Sequence, residues 1–268
     1  MVKKDKAEAG RKRASRMQKD LEAENAKAQK ALLEASARAS DAGKKKGEME
    51  EQLANLPFSA LDLVFVMDAT GSMSEEIRDV QQNLISIVRI LHRLASSLNV
   101  GFVAFKDRQD RYLTKVFPLS PMEGVNLSKI QTFVESLVAK GGGDVPEPVG
   151  AALREAVNMP WRDDVRGRIV VIGDAPSHAN DWNDALNLAA GFIAKAPSGG
   201  KGGGKQRAVS TIYTGRPGAF IGEKFKGRDF YKQLAAAGQG DFVTHRGRMI
   251  ESVMLSVIES SAAQQEAK

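Results

Sequence analysis

Side chains with hard oxygen ligands occupy alternate positions in one short segment of the chain. Asp68, Thr70 and Ser72 supply a carboxylate and two hydroxyls between an apolar run and an amphipathic stretch. At a junction of strand and helix, three such side chains can turn toward one point above the edge of a sheet. Oxygen ligands favour magnesium or manganese, and calcium would also fit. The segment therefore predicts a site for a divalent cation.

Two later segments supply further carboxylates. In one, three glycines at residues 141–143 precede Asp144 and, beyond Pro146, Glu147. The glycines permit close approach of the backbone, and the proline stiffens the turn between the two acids. In the other, Asp174 directly follows an apolar run that ends in Gly173. We expect Glu147 and Asp174 to join the first segment around the cation, and the sequence leaves open whether Asp144 or Glu147 is the direct ligand.

The composition restricts which metals and which chemistry are available. The 268 residues include no cysteine and three histidines, of which His178 alone lies in these segments. Disulfides, thiolate zinc sites, iron–sulfur clusters and cysteine nucleophiles are therefore excluded, and zinc fits poorly.

The surrounding sequence alternates between strand-like and helix-like patterns. Residues 61–67 and 168–173 are apolar runs typical of strands buried on both faces of a parallel sheet. Residues 77–98 carry apolar side chains at three- and four-residue steps, which predicts an amphipathic helix. The alternation predicts an α/β fold, with a doubly wound, mostly parallel Rossmann-like sheet and helices on both faces. Ligands of such sheets bind beyond the carboxyl ends of the strands, where all three segments fall.

Other segments complete this alternation. Strands are predicted at residues 100–105, 112–117, 208–213 and 242–244, and helices at residues 126–139, 147–159, 181–196, 229–237 and 249–260. The first two of these strands are expected to form a hairpin across the charged turn at residues 106–111.

The run Asp68, Thr70, Ser72 resembles the metal-ion-dependent adhesion site of von Willebrand factor A domains, with threonine where serine is commonest. The resemblance covers residues 60–258 and is strongest to bacterial and kinase-associated members. It implies that Thr70 and Ser72 bind the metal directly, whereas Asp68 and Asp174 act mainly through bound waters.

The loop that contains Asp144 and Glu147 departs from many family members, which use a threonine there. It is similar instead to the corresponding loop of integrin β subunits, and this similarity implies that Glu147 coordinates the metal. An outer set of acids, comprising Asp144, Glu75, Glu76 and Asp107, is a further candidate for the surroundings of the ion. By the same resemblance to integrin β domains, the last three could frame a second, calcium-like site. For the last three, solvated surface charge is the favoured interpretation.

Each site residue also has a structural alternative. Asp68, Thr70 or Ser72 could cap the following helix, since these residue types are common at that position. Asp174 could be a turn residue, and Glu147 could simply favour the amino end of its helix. The three segments together, in the expected order at predicted strand ends, favour metal binding over these alternatives.

The sequence before Pro57 has a different character. Residues 1–56 carry 14 lysines and arginines against 10 acids, which accounts for most of the chain's net charge of +6. They are rich in helix-forming residues with a thin heptad-like stripe, which predicts a charged helical extension that favours a coiled coil and self-association. Residues 57–262 are predicted to form the metal-binding domain and residues 263–268 a disordered tail. The basic run at residues 11–19 is interpreted as a solvated helix face, so no specific nucleic acid is expected.

Targeting signals are not evident. No long apolar run predicts a membrane span, and no apolar core follows the charged first residues. A cytoplasmic location is expected, or export if an upstream signal has been removed.

These observations predict a non-catalytic module that binds a partner protein through a divalent cation, with an acidic side chain of the partner as the captured group. Two alternatives remain open: a magnesium-dependent enzyme of phosphoryl transfer or hydrolysis, and a scaffold that assembles through its amino-terminal helix. An aspartyl phosphatase would place an acid two residues after the nucleophile, where Thr70 stands. The glycine-rich run at residues 199–205 lacks the hydroxyl and the strand–helix order of a phosphate-binding loop.

Overall fold

A computed structural model of the protein describes residues 60–142, 146–163, 165–196, 207–215 and 226–262. The predicted extension at residues 1–56, the glycine-rich run at residues 199–205 and the predicted tail lie outside these ranges. The described strands are β1 (Leu61–Asp68), β2 (Leu98–Phe105), β3 (Thr114–Pro121), β4 (Arg166–Gly173), β5 (Arg207–Tyr213) and β6 (Gln239–Thr244). The described helices are α1 (Ser74–Leu94), α2 (Val125–Glu135), α3 (Val149–Val157), α4 (Ala179–Ala194), α5 (Lys226–Ala237) and α6 (Met249–Ala262).

The six strands form one sheet in the order β3-β2-β1-β4-β5-β6. All neighbours are parallel except β3, which runs antiparallel to β2 as the predicted hairpin requires. The predicted α/β fold class is confirmed. The strand order reverses between β1 and β4, so the loops that leave these two strands meet at the carboxyl edge of the sheet.

Both faces of the sheet are covered by helices. Val64 and Val66 of β1 pack with α3, α4 and α5 in one apolar layer, together with Phe192 and Leu234. Phe65, on the opposite face of the same strand, lies against side chains of α1 and α6. All eight residues of β1 are buried, which is why this strand is apolar in the sequence apart from Asp62 and Asp68.

The amino end of β1 carries a buried acid that is fully paired. Asp62 is 0% exposed, and its Oδ1 lies 2.6 Å from Nη2 of Arg162. The backbone amide of Arg162 donates to Oδ2 of Asp62 at 2.9 Å, and its Nη1 donates to Oγ of Ser97. The charge of Asp62 is therefore neutralised and hydrogen-bonded in place.

Two elements differ from their predicted bounds. The helix expected from Glu147 begins at Val149, because the amide of Glu147 donates to the carbonyl of Pro176 at 2.9 Å. The strand expected at residues 112–117 is β3, displaced toward the carboxyl end because the turn after β2 takes up more residues. No helix in the described ranges is long and apolar enough to span a membrane.

Candidate metal centre

In the first loop, which follows β1, the acidic side chain and the first hydroxyl are hydrogen-bonded to each other. Oδ1 of Asp68 accepts hydrogen bonds from the backbone amide and from the hydroxyl of Thr70, both at 2.7 Å. Oγ of Ser72 lies 3.4 Å from Oγ1 of Thr70. Asp68 and Thr70 are buried, whereas Ser72 is exposed. The loop therefore presents two neighbouring hydroxyl oxygens above a buried carboxylate.

The capping alternative is not observed for these side chains. Thr70 and Met73, which occupy the cap positions of the short 3-10 turn (Gly71–Met73) and of α1, make no side-chain capping bond. The hydroxyl of Thr70 donates to Asp68 instead, and its lone pairs stay available to a cation.

The glycine-rich loop lies directly against the first loop. The amide of Gly71 donates to the carbonyl of Gly141 at 3.1 Å. Gly142 has a φ of +87°, which favours glycine, and a Cβ placed there would lie 3.1 Å from Cβ of Thr70 and 3.6 Å from Oε1 of Glu147. A glycine is needed here so that the loop can approach both side chains.

Glu147 joins the second loop to the third. It forms an isolated parallel bridge with Ser177, next to the loop that carries Asp174. Its side chain is 3% exposed, and that of Asp174 is 7% exposed. The structure thus brings Asp68, Thr70, Glu147 and Asp174 to one rim at the carboxyl ends of β1 and β4, with Ser72 on its solvent side.

The carboxylates at this rim are strongly perturbed. Burial, with a further contribution from the negative charge of Asp174, raises the pKa of Asp68 to about 7, although the hydrogen bonds from Thr70 oppose the shift. Burial, followed by repulsion from Asp68, Asp107, Asp174 and Asp110, raises the pKa of Glu147 to about 9. Grouped buried acids of this kind require a compensating positive charge to ionise together.

Three carboxylate oxygens at the rim are left without a hydrogen-bond partner in the part of the chain that the structure describes. Oδ2 of Asp68, Oε2 of Glu147 and Oδ1 of Asp174 are buried without a hydrogen-bond partner among the described residues. Buried polar atoms are nearly always paired, so three orphaned oxygens at one rim call for a ligand. Over the same ranges, no three His, Cys, Asp or Glu side chains converge closely enough to hold an ion alone. The hydroxyls of Thr70 and Ser72 and bound water would have to complete the coordination.

The outer acids fall in different places. Asp144 lies outside the described residues, and Glu75 is exposed on the first turn of α1. Asp107 and Glu76 are buried, at 2% and 9% exposure, so the interpretation of these two as solvated surface charges was wrong. Asp107 closely follows the buried strand β2, and Glu76 lies in the first turn of α1 next to the buried Ile77. Asp107 contributes to the raised pKa of Glu147.

Two residues near the rim were missed from the sequence. Lys106 is 6% exposed, and its positive charge favours the ionised form of Asp68. Tyr231 is fully buried, its hydroxyl has no partner among the described residues, and it lies against Gly173. Lys106 stands in a segment that resembles a solvated turn, and Tyr231 in one that resembles an ordinary helix face. The position of Lys106 immediately after a buried strand was the available signal.

This geometry and fold define a class of protein. Residues 62–191 match the family model of the von Willebrand factor A domain, and the chain contains a domain of that family. Alpha-protein kinase vwkA of Dictyostelium discoideum is 28% identical over 166 residues, which cover 58% of this chain and 25% of the kinase. A putative ariadne-like RING finger protein of Acanthamoeba polyphaga mimivirus is 30% identical over 122 residues, covering 45% of this chain and 11% of that protein. The chain thus spans a quarter or less of these curated relatives.

Solved structures share the fold at low sequence identity. The protein BatB from Bacteroides thetaiotaomicron superposes with a TM-score of 0.52 at 14% identity, over 77% of this chain and 99% of BatB. The pilus adhesin SpaC from Lactobacillus rhamnosus GG superposes with a TM-score of 0.55 at 11% identity, over 79% of this chain and 30% of SpaC. A von Willebrand factor type A protein from Catenulispora acidiphila superposes with a TM-score of 0.50 at 12% identity, over 78% of this chain and 42% of that protein.

Proposed function

We propose that this domain binds a partner protein through a divalent cation, held at the rim formed by Asp68, Thr70, Ser72, Glu147 and Asp174. The observation that carries the proposal is the set of three buried carboxylate oxygens without partners beside two hydroxyls. Magnesium is the preferred ion because it combines few carboxylates with hydroxyl and water ligands, and manganese and calcium are the tested alternatives.

In this proposal the ion supplies a positive charge that attracts an acidic side chain of the partner. Thr70 and Ser72 contribute neutral oxygens, so the ion keeps more of its charge than it would among carboxylates alone. Asp68 holds the Thr70 hydroxyl in place through its two hydrogen bonds. Glu147 and Asp174 supply negative charge from two further loops, and Lys106 lies near Asp68 as a fixed cation.

A binding role is favoured over an enzymatic one. The von Willebrand factor A family and the adhesin SpaC support interaction with proteins. The kinase name belongs to a relative of which this chain spans a quarter, so it does not assign kinase activity to this domain. The hydrogen bond from the Thr70 hydroxyl to Asp68 also matches a nucleophile and its base, so a turnover assay dependent on Asp68 has to separate that alternative from the positioning of a metal ligand.

The proposal is tested by binding rather than turnover. In titration calorimetry we expect the purified chain to bind magnesium or manganese, and we expect capture of proteins from a native lysate to be lost in chelator. Absence of heat with all three cations would overturn the metal site. Phosphoester turnover that depends on Asp68 would favour the enzyme, and partner loss only on deletion of residues 1–56 would favour the scaffold.

The raised pKa values predict a pH-dependent affinity. Below about pH 7 to 9, Asp68 and Glu147 hold protons that a cation must displace, so magnesium should bind more tightly as the pH rises. Each displaced proton contributes up to about tenfold per pH unit, so we expect a rise of about hundredfold per unit near pH 6 that falls to about tenfold per unit near pH 8, with proton release visible as a dependence of the calorimetric heat on the buffer. The variant Glu147→Gln, measured at each pH, should flatten this profile.

The same raised pKa values determine whether the metal-free protein becomes more or less stable as the pH rises. Because both acids have pKa values above those of the unfolded chain, the folded state binds more protons between about pH 4 and 9. The midpoint of thermal unfolding should therefore fall as the pH rises through this window, and fall less in Glu147→Gln. An unchanged slope in that variant would contradict the assignment of Glu147 to the rim.

A further inference from the structure

A cleft of about 760 Å³ opens beside the candidate metal centre, between the loop after β2 and the segment that follows α2. Among the residues that the structure describes, its walls carry four cationic side chains, Lys106, Arg111, Lys115 and Lys140, against the carboxylate of Asp110. Arg111 and Lys140 are exposed at its mouth. The surplus of three positive charges marks this cleft as a place for an anion, in contrast to the acidic rim next to it.

Two of the four cations that line the cleft, Lys106 and Lys115, are held by contacts with neighbouring residues. Nζ of Lys106 donates to the carbonyl of Lys140 and lies 5.5 Å from the ring centroid of Tyr112. Nζ of Lys115 donates to Oγ of Ser136 at 2.6 Å. Asp110 accepts a hydrogen bond from the amide of Gly142 at 3.1 Å, which directs part of its charge to the loop. Asp110 also acts on Lys106, but the described cations that line the cleft outnumber it four to one.

The cleft also offers groups that suit a peptide. Val138 is 62% exposed and gives the cleft an apolar side. An apolar surface beside several cations matches an acidic side chain carried on a short stretch of polypeptide.

One strip of backbone separates the cleft from the metal centre. Gly141 lines the cleft, and its carbonyl accepts the hydrogen bond from Gly71 of the first loop. Gly142 lies against Thr70 and Glu147. Lys106, on the cleft side, acts electrostatically on both Asp68 and Asp110. A single extended segment could thus contact both places with only a few residues between the two contacts.

We propose that this cleft binds a second acidic side chain of the same partner segment whose first acid is captured at the metal centre. The inference rests on the proposed function for the source of the first acid, but the cleft can be tested without metal. It specifies the partner as a protein segment with two acids a few residues apart. A nucleic acid is the competing occupant, and the position of the cleft beside a centre that captures carboxylates favours the acidic peptide.

The first experiment tests the cleft in the absence of metal. Amide spectra of the isotopically labelled full chain are recorded in chelator during titration with hexaglutamate. We expect shifts concentrated at Arg111, Tyr112, Lys115 and Lys140, and their loss in the double variant Arg111→Ala/Lys140→Ala. The matched control Arg89→Ala/Arg154→Ala removes two exposed cations from helices elsewhere and should leave the shifts intact. Shifts scattered over the surface, or none, would overturn the proposal.

The second experiment tests whether one peptide binds the metal centre and the cleft at the same time. Fluorescently labelled peptides carry either one aspartate or two aspartates separated by one to five residues, and their affinity is measured with magnesium. The second acid should strengthen binding about fivefold at the best spacing, the size expected of a charge pair in a partly solvated cleft. That gain should vanish in Arg111→Ala/Lys140→Ala, while magnesium affinity is retained.

The outcomes separate the two proposals. Magnesium-dependent binding of the single-acid peptide with no gain from the second acid would overturn the cleft and leave the metal centre standing. Hexaglutamate shifts in chelator without any magnesium binding would support the cleft and overturn the proposed metal-dependent function. A phosphoserine in the second position identifies whether phosphate or carboxylate is preferred. Tighter binding of a hexathymidine strand, lost in the same double variant, would overturn the peptide occupant.

Discussion

Replacing Asp68 with asparagine is expected to weaken magnesium binding by about 10- to 100-fold, the range typical of residues that support a metal from its immediate surroundings. Asparagine keeps an oxygen that can accept the two hydrogen bonds from Thr70, so the loop conformation should survive. It removes a buried charge whose pKa is raised to about 7. Calorimetric titration with magnesium and with manganese measures the effect.

The same variant should be more stable than the natural chain when chelator is present. At pH 8 the folded protein must hold Asp68 ionised and buried, and this cost disappears with asparagine. The gain should shrink toward pH 5, where the natural side chain is protonated. Asp163→Asn, a control at an exposed position, should change neither the magnesium affinity nor the stability in chelator. Normal magnesium affinity in Asp68→Asn would contradict the site, and lowered stability in chelator would show that the loop had been damaged instead.

Gly173→Ala is expected to destabilise the domain by about 1 to 3 kcal/mol, as overpacking of a rigid core usually does. A Cβ at residue 173 would lie 2.2 Å from the hydroxyl of Tyr231 and 3.3 Å from Cβ of Asp68. Tyr231 is fully buried, so it cannot swing aside without repacking. Thermal and urea unfolding measure the loss, and Gly191→Ala, where nothing lies within 4 Å, is the control and should be neutral or stabilising.

Tyr231→Phe provides the decisive partner variant. It removes the oxygen that the new methyl group would meet, and this hydroxyl has no partner among the described residues. We expect Gly173→Ala/Tyr231→Phe to recover much of the stability lost in Gly173→Ala, and Tyr231→Phe alone to be nearly neutral. If the double variant is no more stable than Gly173→Ala, the contact described for this edge of the sheet is wrong.

The fold was predictable because its strands are buried on both faces. β1 and β4 each contain an apolar run, residues 63–67 and 169–172, and α1 shows a clear amphipathic repeat, so their order along the chain already implies a doubly wound sheet. The rule that loops meet at the carboxyl ends of parallel strands then placed Asp68 and Asp174 near one another. This argument depends on topology alone, so it needed no knowledge of side-chain packing.

Packing decided the parts that the sequence could not predict. Glu147 has the residue type expected of the first turn of a helix, but its amide pairs with Pro176 in another loop, a long-range contact that leaves no local pattern. Lys106 and Asp107 follow a strand and resemble a solvated turn, yet both are buried where β2 ends. The basic cleft was also invisible, because Lys106, Lys115 and Lys140 come from separate elements and have no common spacing.

β1 carries one buried aspartate near each end, and their surroundings differ. Asp62 is matched by a guanidinium supplied by the chain itself, whereas Oδ2 of Asp68 has no hydrogen-bond partner among the described residues. The amino edge of the sheet thus carries its own countercharge, whereas at the carboxyl edge the proposed cation would supply it. Binding of a soluble ion would then make the three loops at the carboxyl edge more rigid, while the rigidity of the amino edge would not depend on the ion.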